Sequence, residues 1–371
     1  MAEVTRPSGW LIPTRYRTLP RWAALAVLVL LLGATTAGLW VKPPAINVEQ
    51  PSKMHHEERG ADVRLYKRIV AEMRGGADYY DAAADGLRAG HFPLKPFAAF
   101  RLPTLAAFHA WTPEFLPRIV MVLLVFATAF AWYARLKEMF GSFAPAAIGA
   151  LLGLSGSAIM TEPLMLMFHE SWAAILIALS LALRRDGKWV ASAVAGFVAA
   201  MIRETAIAYV LGMAVLALFG GKRREALGWA AIVPVFAAYL AWHAAHAAAV
   251  ALPADLHSPG WIGLGGWSFY ISATHLTTAL TELPKWSAAI LVPLAWFGWA
   301  GVRSDLGLRT AAIIGGYGLV MMVFARPDNF YWGLLTAPIL LCGFVFVPAA
   351  ARDIFAALKH GHLDSGAPAR Q

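Results

Sequence analysis

Cysteine is almost absent from this chain. The single Cys342 excludes an intramolecular disulfide, so any part outside a membrane must be held by packing alone. Charge is also scarce. Only 14% of the 371 residues are Asp, Glu, Lys or Arg, against about 25% in a soluble domain. No internal repeat is visible, and no Ser-His-Asp arrangement can be assembled. "GWIGLGG" imitates a glycine-rich phosphate loop but follows no strand, and "HHEE" at 55–58 reads as a solvated loop rather than a metal site.

What is abundant is apolar sequence. Hydrophobic residues make up 59%, in runs near or above the roughly 18 residues that suggest a membrane span. Candidate spans fall at 22–41, 118–134, 144–160, 171–183, 189–202, 205–219, 227–249, 285–302, 309–324 and 330–349. The expected fold is therefore all-α: a polytopic transmembrane bundle of about ten spans, two of them short. The first run is long enough to span and has no convincing cleavage site, so it reads as an anchor rather than a cleaved signal. The net charge of +9 is accounted for by basic residues flanking spans, and nucleic acid is not an expected partner. The 15 tryptophans fit interfacial belts.

The connections sort by charge. "ARLKEMFG", "LRRDGKW", "GGKRREA" and "GVRSDLGLR" are short and basic, as are both termini. "MTEPLMLMFHES", "IRETA", 251–284 and "ARPDNFYW" hold only Arg203 and Arg326 between them. The positive-inside rule then places 1–21 and 350–371 in the cytoplasm, around a membrane domain at 22–349. The long loop 42–117 lies outside, since long loops translocate regardless of charge.

"SAVAGFVAAMIRETAIAYVLGMAVLALFG" runs between two basic connections, so it must go out and return. Its roughly thirty residues span ~45 Å as helix, enough for two half-length helices only. Arg203 and Glu204 are then the tip of a shallow hairpin facing a cavity, or else a salt bridge locking the fold.

In the outer loop, 62–74 reads as an amphipathic helix with Val63, Tyr66, Val70 and Met73 on one stripe and cations elsewhere, suited to lying at a lipid headgroup layer. A second helix at 78–88 places Asp78, Asp81 and Asp85 on one side. Glu162, His169, Glu170 and "ARPDNFYWG" add acids and aromatics to the same face of the membrane. The cytoplasmic side carries only flanking basic residues, so any site is expected to face outward.

"ADVRLY", "GGADYY", "PFAAFRLPTL", "HESWAAILIALSLAL", "IRETA" and "RPDNFYWGLLTAP" look like motifs of the bacterial membrane-embedded GT-C glycosyltransferases, a resemblance covering 22–348. It implies an inner-membrane enzyme that moves a sugar from a polyprenyl-phosphate carrier to an envelope glycan, lipid or protein at the outer face. It also implies roles. Asp62 becomes the base, unless it is a helix N-cap. Arg203 and Arg326 become phosphate ligands, unless they are structural ion pairs with Glu204 and Asp328. Asp78, Tyr79, Tyr80, Arg101, His169, Glu170, Glu204, Asp328, Asn329 and Tyr331 become substrate contacts. Asp62 lacks the paired acid found in some branches, so a divalent metal stays open and no ligand or cofactor is assigned. The competing reading is a transporter or lipid flippase, which should show repeats and midplane charges.

Overall fold

The structure is a computed structural model that describes residues 9–40, 54–260 and 262–360, the side chains of 54–61 and 360 excepted. The "HHEE" side chains, Trp261 of "GWIGLGG" and the outermost parts of both expected cytoplasmic segments lie outside the described residues. The chain is about 80% helical, with no strand among the described residues. Its helices are α1 (Arg21–Trp40), α2 (Met54–Arg74), α3 (Tyr79–Ala89), α4 (Pro103–Trp111), α5 (Leu116–Phe140), α6 (Phe143–Ser157), α7 (His169–Leu183) and α8 (Val190–Ile202). They continue with α9 (Ile207–Phe219), α10 (Arg223–Ala230), α11 (Ile232–Val250), α12 (Gly266–Thr277), α13 (Trp286–Gly301), α14 (Asp305–Phe324), α15 (Ala337–Leu340) and α16 (Val347–His360). Each of the ten apolar segments is helical. Six helical stretches are long and apolar enough to cross a membrane, and four more apolar helices are shorter.

α7 is the axis of the bundle. It is buried on nearly every face, as an all-round apolar helix must be, and packs against α5 and α8. α1 is the opposite case: it leans on α13 and α16 and exposes Leu25, Val29, Leu30 and Leu32. Close backbone approach explains one glycine pair. A Cβ on Gly298 of α13 would sit 2.1 Å from the Gly343 carbonyl, and one on Gly343 would sit 2.0 Å from that of Ala295. Small residues at such crossings are how apolar helices associate where no hydrophobic drive separates them from lipid.

The last apolar run is not one regular helix. Tight 3-10 turns over Pro327–Thr336 and Leu341–Phe346 flank α15, and α16 then runs through the expected boundary at 349/350. The N-terminal segment docks on it. Thr14 donates from its backbone N (2.7 Å) and Oγ1 (3.1 Å) to Asp353 Oδ2, and Tyr16 Oη donates to the Phe297 carbonyl at 3.0 Å.

The 192–220 stretch breaks where its charges stand. α8 ends at Ile202, Arg203 is extended (φ −135°, ψ 115°), and a short 3-10 turn leads into α9. The result is two 13-residue helices.

The headgroup-layer reading of α2 is corrected. Val63 and Val70 are buried, and Leu65, Tyr66, Ile69 and Met73 pack on Tyr79, Tyr80, Ala83 and Leu87. The apolar stripe is covered by protein, α3 and α4 together, so it is not free for lipid. α2 also begins at Met54 rather than 62, because "MHHEER" favours helix.

Candidate functional site

α2, α3 and the segment 92–102 form a cover over one end of the bundle. Beneath it lies a cavity of about 170 Å³. The cover supplies an apolar wall that includes Leu65, Ile69, Leu87 and Phe92. The polar wall comes from four distant places: Asp62 on α2, Arg101 before α4, Arg203 at the α8–α9 break, and Arg326, Asp328, Asn329 and Tyr331 after α14. Tyr79 also lines it. Eight of the sequence-nominated residues thus share one space. Asp62 lies inside α2, well past its start at Met54, which removes the N-cap alternative.

Arg203 is 1% exposed and meets two carboxylates. Its Nε stands 2.7 Å from Glu170 Oε1 as an ion pair without hydrogen-bond alignment, and its Nη1 donates to Glu204 Oε1. Glu170, at the start of α7, is 2% exposed, so this is a buried pair of facing charges. Nη2 of Arg203 bonds to no protein group among the described residues. Arg326 is fixed by Asp328 (Nη2–Oδ2 3.1 Å) and donates to the Pro259 carbonyl at 3.1 Å. Ion-pair and cavity-lining roles, set as alternatives by the sequence, therefore coexist in both arginines.

Arg101 is held differently. Its Nε donates to Tyr66 Oη at 3.1 Å and its Nη2 to Tyr331 Oη at 3.0 Å, with Nη1 4.0 Å from Glu204. Burial pushes the Tyr66 hydroxyl up to about 12, so it remains a neutral phenol. Tyr66 was not a sequence candidate beyond its apolar stripe. The signal was present, since it stands one helical turn from Asp62 and so on the same face.

Several nominated residues do not join the cavity wall. Asp78 is the N-cap of α3, accepting from the Tyr80 backbone at 2.7 Å. Tyr80 Oη bonds His243 Nδ1 at 3.0 Å and stacks on His246, on the far side of α3. Both residues therefore stand apart from the cavity wall, with protein partners of their own. His169 lies behind the wall, edge-on to Tyr66 and beside a space of about 20 Å³ that Arg101 and Tyr79 also line. Glu170 and Glu204 reach the cavity only through Arg203 and Arg101. Gly263 of "GWIGLGG" has a packing reason: a Cβ there would lie 2.1 Å from the Ala325 carbonyl.

The opposite end of α7 holds a second polar cluster, which corrects the view that this side has only flanking basic residues. Arg184 pairs with Glu225 (Nη2–Oε2 2.7 Å) and with Asp305. Arg309 reaches Asp305 (3.2 Å) and Glu225 (3.4 Å), and Lys222 pairs with Asp305 at 2.9 Å and with Asp186. Arg184, Arg309 and Glu225 are almost fully buried. Acids and bases match here, three of each.

Among the described residues no three His, Cys, Asp or Glu side chains gather as a metal site. No protein-family model, curated protein or solved structure matches the chain. Function is argued from the cavity itself.

Proposed function

We propose that this protein is a membrane glycosyltransferase whose donor is a sugar linked to a polyprenyl phosphate, with both chain termini cytoplasmic and the cavity facing outward. The observation that carries the reading is the cavity of mixed walls, where apolar residues of α2 and α3 together with Asp62 face three arginines and Asp328. An amphiphilic ligand with an anionic head fits such walls. At about 170 Å³ the space is below the about 300–1,000 Å³ of a pocket that engulfs a whole ligand. A head group enters and a long apolar tail stays outside.

The chemistry follows from the side chains. The acceptor hydroxyl oxygen attacks the anomeric carbon, and the carbon–oxygen bond to phosphate breaks, its electron pair leaving with the phosphate. Asp62 takes the hydroxyl proton. Nη2 of Arg203 and the Arg326 guanidinium oppose the charge that grows on the phosphate, which matters most in the transition state.

Two measurements test this. Full-length protein in nanodiscs should bind a polyprenyl-phosphate-linked sugar saturably and release polyprenyl phosphate when an acceptor is present. Absence of saturable binding overturns the reading. A reporter active only after export should be active when fused after Gly90 or Ser258 and silent after Gly187 or Gly221. Activity after Gly221 would mean that the stretch 192–220 crosses once and that no half-hairpin turns at Arg203.

A further inference from the structure

Three arginines line one cavity, yet they are not equivalent. The edge of a guanidinium that grips phosphate or carboxylate in a fork is the pair of parallel N–H bonds on Nε and one Nη. In Arg326 that edge is closed by the Asp328 carboxylate (Nε–Oδ1 3.3 Å, Nη2–Oδ2 3.1 Å), and in Arg203 Nε faces Glu170 while Nη2 is left over among the described residues. In Arg101 both halves of the edge are taken by neutral phenols. Nε donates to Tyr66 Oη (3.1 Å) and Nη2 to Tyr331 Oη (3.0 Å), while Nη1 faces Glu204.

The consequence falls on the phenols. A tyrosine hydroxyl has one proton to donate and two lone pairs to accept with. Tyr331 Oη accepts from Arg101 Nη2 and also from Asn329 Nδ2 at 3.3 Å. The orientation of that amide is fixed, because Asn329 Oδ1 accepts from the Arg326 backbone N at 3.3 Å, leaving Nδ2 to point at the phenol. Both lone pairs of Tyr331 are thereby engaged, and its own proton has no protein acceptor among the described residues. The same holds for Tyr66, whose oxygen accepts from Arg101 and whose proton is unassigned. Both side chains line the cavity. Tyr79 gives the contrast: its hydroxyl donates to the Arg101 carbonyl at 2.6 Å, so it has no proton to offer. A donor beside a part-buried cavity takes an acceptor, water when the space is empty and a ligand oxygen when it is filled.

We infer that Tyr331, with Tyr66 beside it, is a hydrogen-bond donor that reads an oxygen of the donor's sugar, and that Arg101 is a positioning residue aiming these two hydroxyls rather than a ligand of the phosphate. This rests on the glycosyltransferase reading and divides the wall by task. Arg203 meets the anion through Nη2, and Arg326 adds its charge from its pair with Asp328; the Arg101–Tyr66–Tyr331 group recognises the uncharged part.

The test compares two ligands on full-length protein in nanodiscs: a polyprenyl-phosphate-linked sugar and the same polyprenyl phosphate without sugar. Tyr331→Phe and Arg101→Lys should each weaken the sugar-bearing lipid about tenfold, the weight of one hydrogen bond, and leave the bare lipid unchanged. Lysine keeps the charge but loses the planar fork that aims both phenols. Arg101→Lys/Tyr331→Phe should be no weaker than Arg101→Lys alone, since one residue acts through the other. If Arg101→Lys lowers the melting temperature, Tyr331→Phe alone, which keeps the Arg101–Tyr66 bond, carries the test and should show the selective loss. Weakened binding of the bare lipid in Arg101→Lys overturns the inference and makes Arg101 an anion ligand. Unchanged discrimination in Tyr331→Phe, or additive losses in the double variant, also overturns it. Wild-type protein that binds neither lipid refutes the function itself, and this inference with it.

Discussion

The two ends of α7 carry two polar clusters of similar composition and opposite character. At one end Arg184, Lys222 and Arg309 meet Asp186, Glu225 and Asp305, each charge answered by another. At the other, Arg203 is flanked by Glu170 and Glu204 but keeps Nη2 unbonded to protein among the described residues, and Arg101, Tyr66 and Tyr331 line a cavity. About 22 Å of helix separates them. A buried ion pair is weak evidence of anything by itself, since desolvation offsets most of its attraction. What distinguishes a lock from a site is the remainder, meaning donors and acceptors left over after the protein has paired its own. The closed end has few, Arg309 Nη2 standing 3.4 Å from Glu225 Oε1 without a hydrogen bond, and the cavity end has several.

Variants can break this contrast or sharpen it. The largest effect is expected at the closed end. Glu225→Leu leaves Arg184 and Arg309 buried with too few partners and should destabilise by about 3–5 kcal/mol, read by thermal unfolding in detergent. Transfer per folded molecule should be unchanged. A loss of transfer without loss of stability would make the closed end part of the chemistry.

Asp62→Asn is the converse. It should lower turnover by about 100-fold or more, the range of general base catalysis, with stability within about 0.5 kcal/mol of wild type and the lipid donor still bound. Near-normal transfer would remove Asp62 from the mechanism.

Arg203 lies between these two kinds of residue. Arg203→Lys should reduce transfer while the protein stays folded, because charge is kept and the fork lost. Glu170 is the more buried partner, so the apolar replacement that tests a pure lock is Glu170→Leu/Arg203→Leu, with Glu204 kept. That variant should fold as well as wild type and remain inactive. Recovery of transfer in it would leave the cluster as a second lock.

The smallest effect concerns the loop that borders the cavity through Ser258. Arg88 holds the Asp255 carboxyl down at about 2 through hydrogen bonds of 2.9 and 3.0 Å. A depressed carboxylate stabilises above its unfolded pKa of about 3.9 and loses that contribution as pH falls through the folded value. Protection from hydrogen exchange over 251–260, relative to the intrinsic rate at each pH, should therefore be constant above about pH 4 and fall from there toward pH 2. Arg88→Gln should abolish this dependence.

Much of the fold was legible because apolar runs and their basic flanks obey strong constraints. The break at Arg203 followed from two basic connections too close together for two full spans. Pairings across the chain were not legible. Nothing local to Glu225 or Asp305 distinguishes an internal acid from a solvated flank, and Arg184 meets Asp305 across 121 positions. The stripe on α2 showed a face that wanted covering, but amphipathicity alone does not say whether protein or lipid covers it. At the site, residue types predicted the arginines and acids, and not how Arg101 is engaged, which depends on two phenols 35 and 230 positions away.

The two 13-residue helices that meet at Arg203 carry a consequence for the membrane around them. Each is about 20 Å long against a hydrocarbon layer of about 30 Å. Their exposed apolar residues, Val190, Val194 and Val198 on α8 and Leu211, Val215 and Leu218 on α9, lie away from the break. A shortfall of this kind is met by local thinning of the bilayer at a modest cost per ångström. On the function proposed above, thinning on that flank would bring the leaflet's phosphate layer down toward the depth of Arg203. A lipid-borne phosphate would then approach the arginine by sliding sideways within its own leaflet, without being lifted out of it.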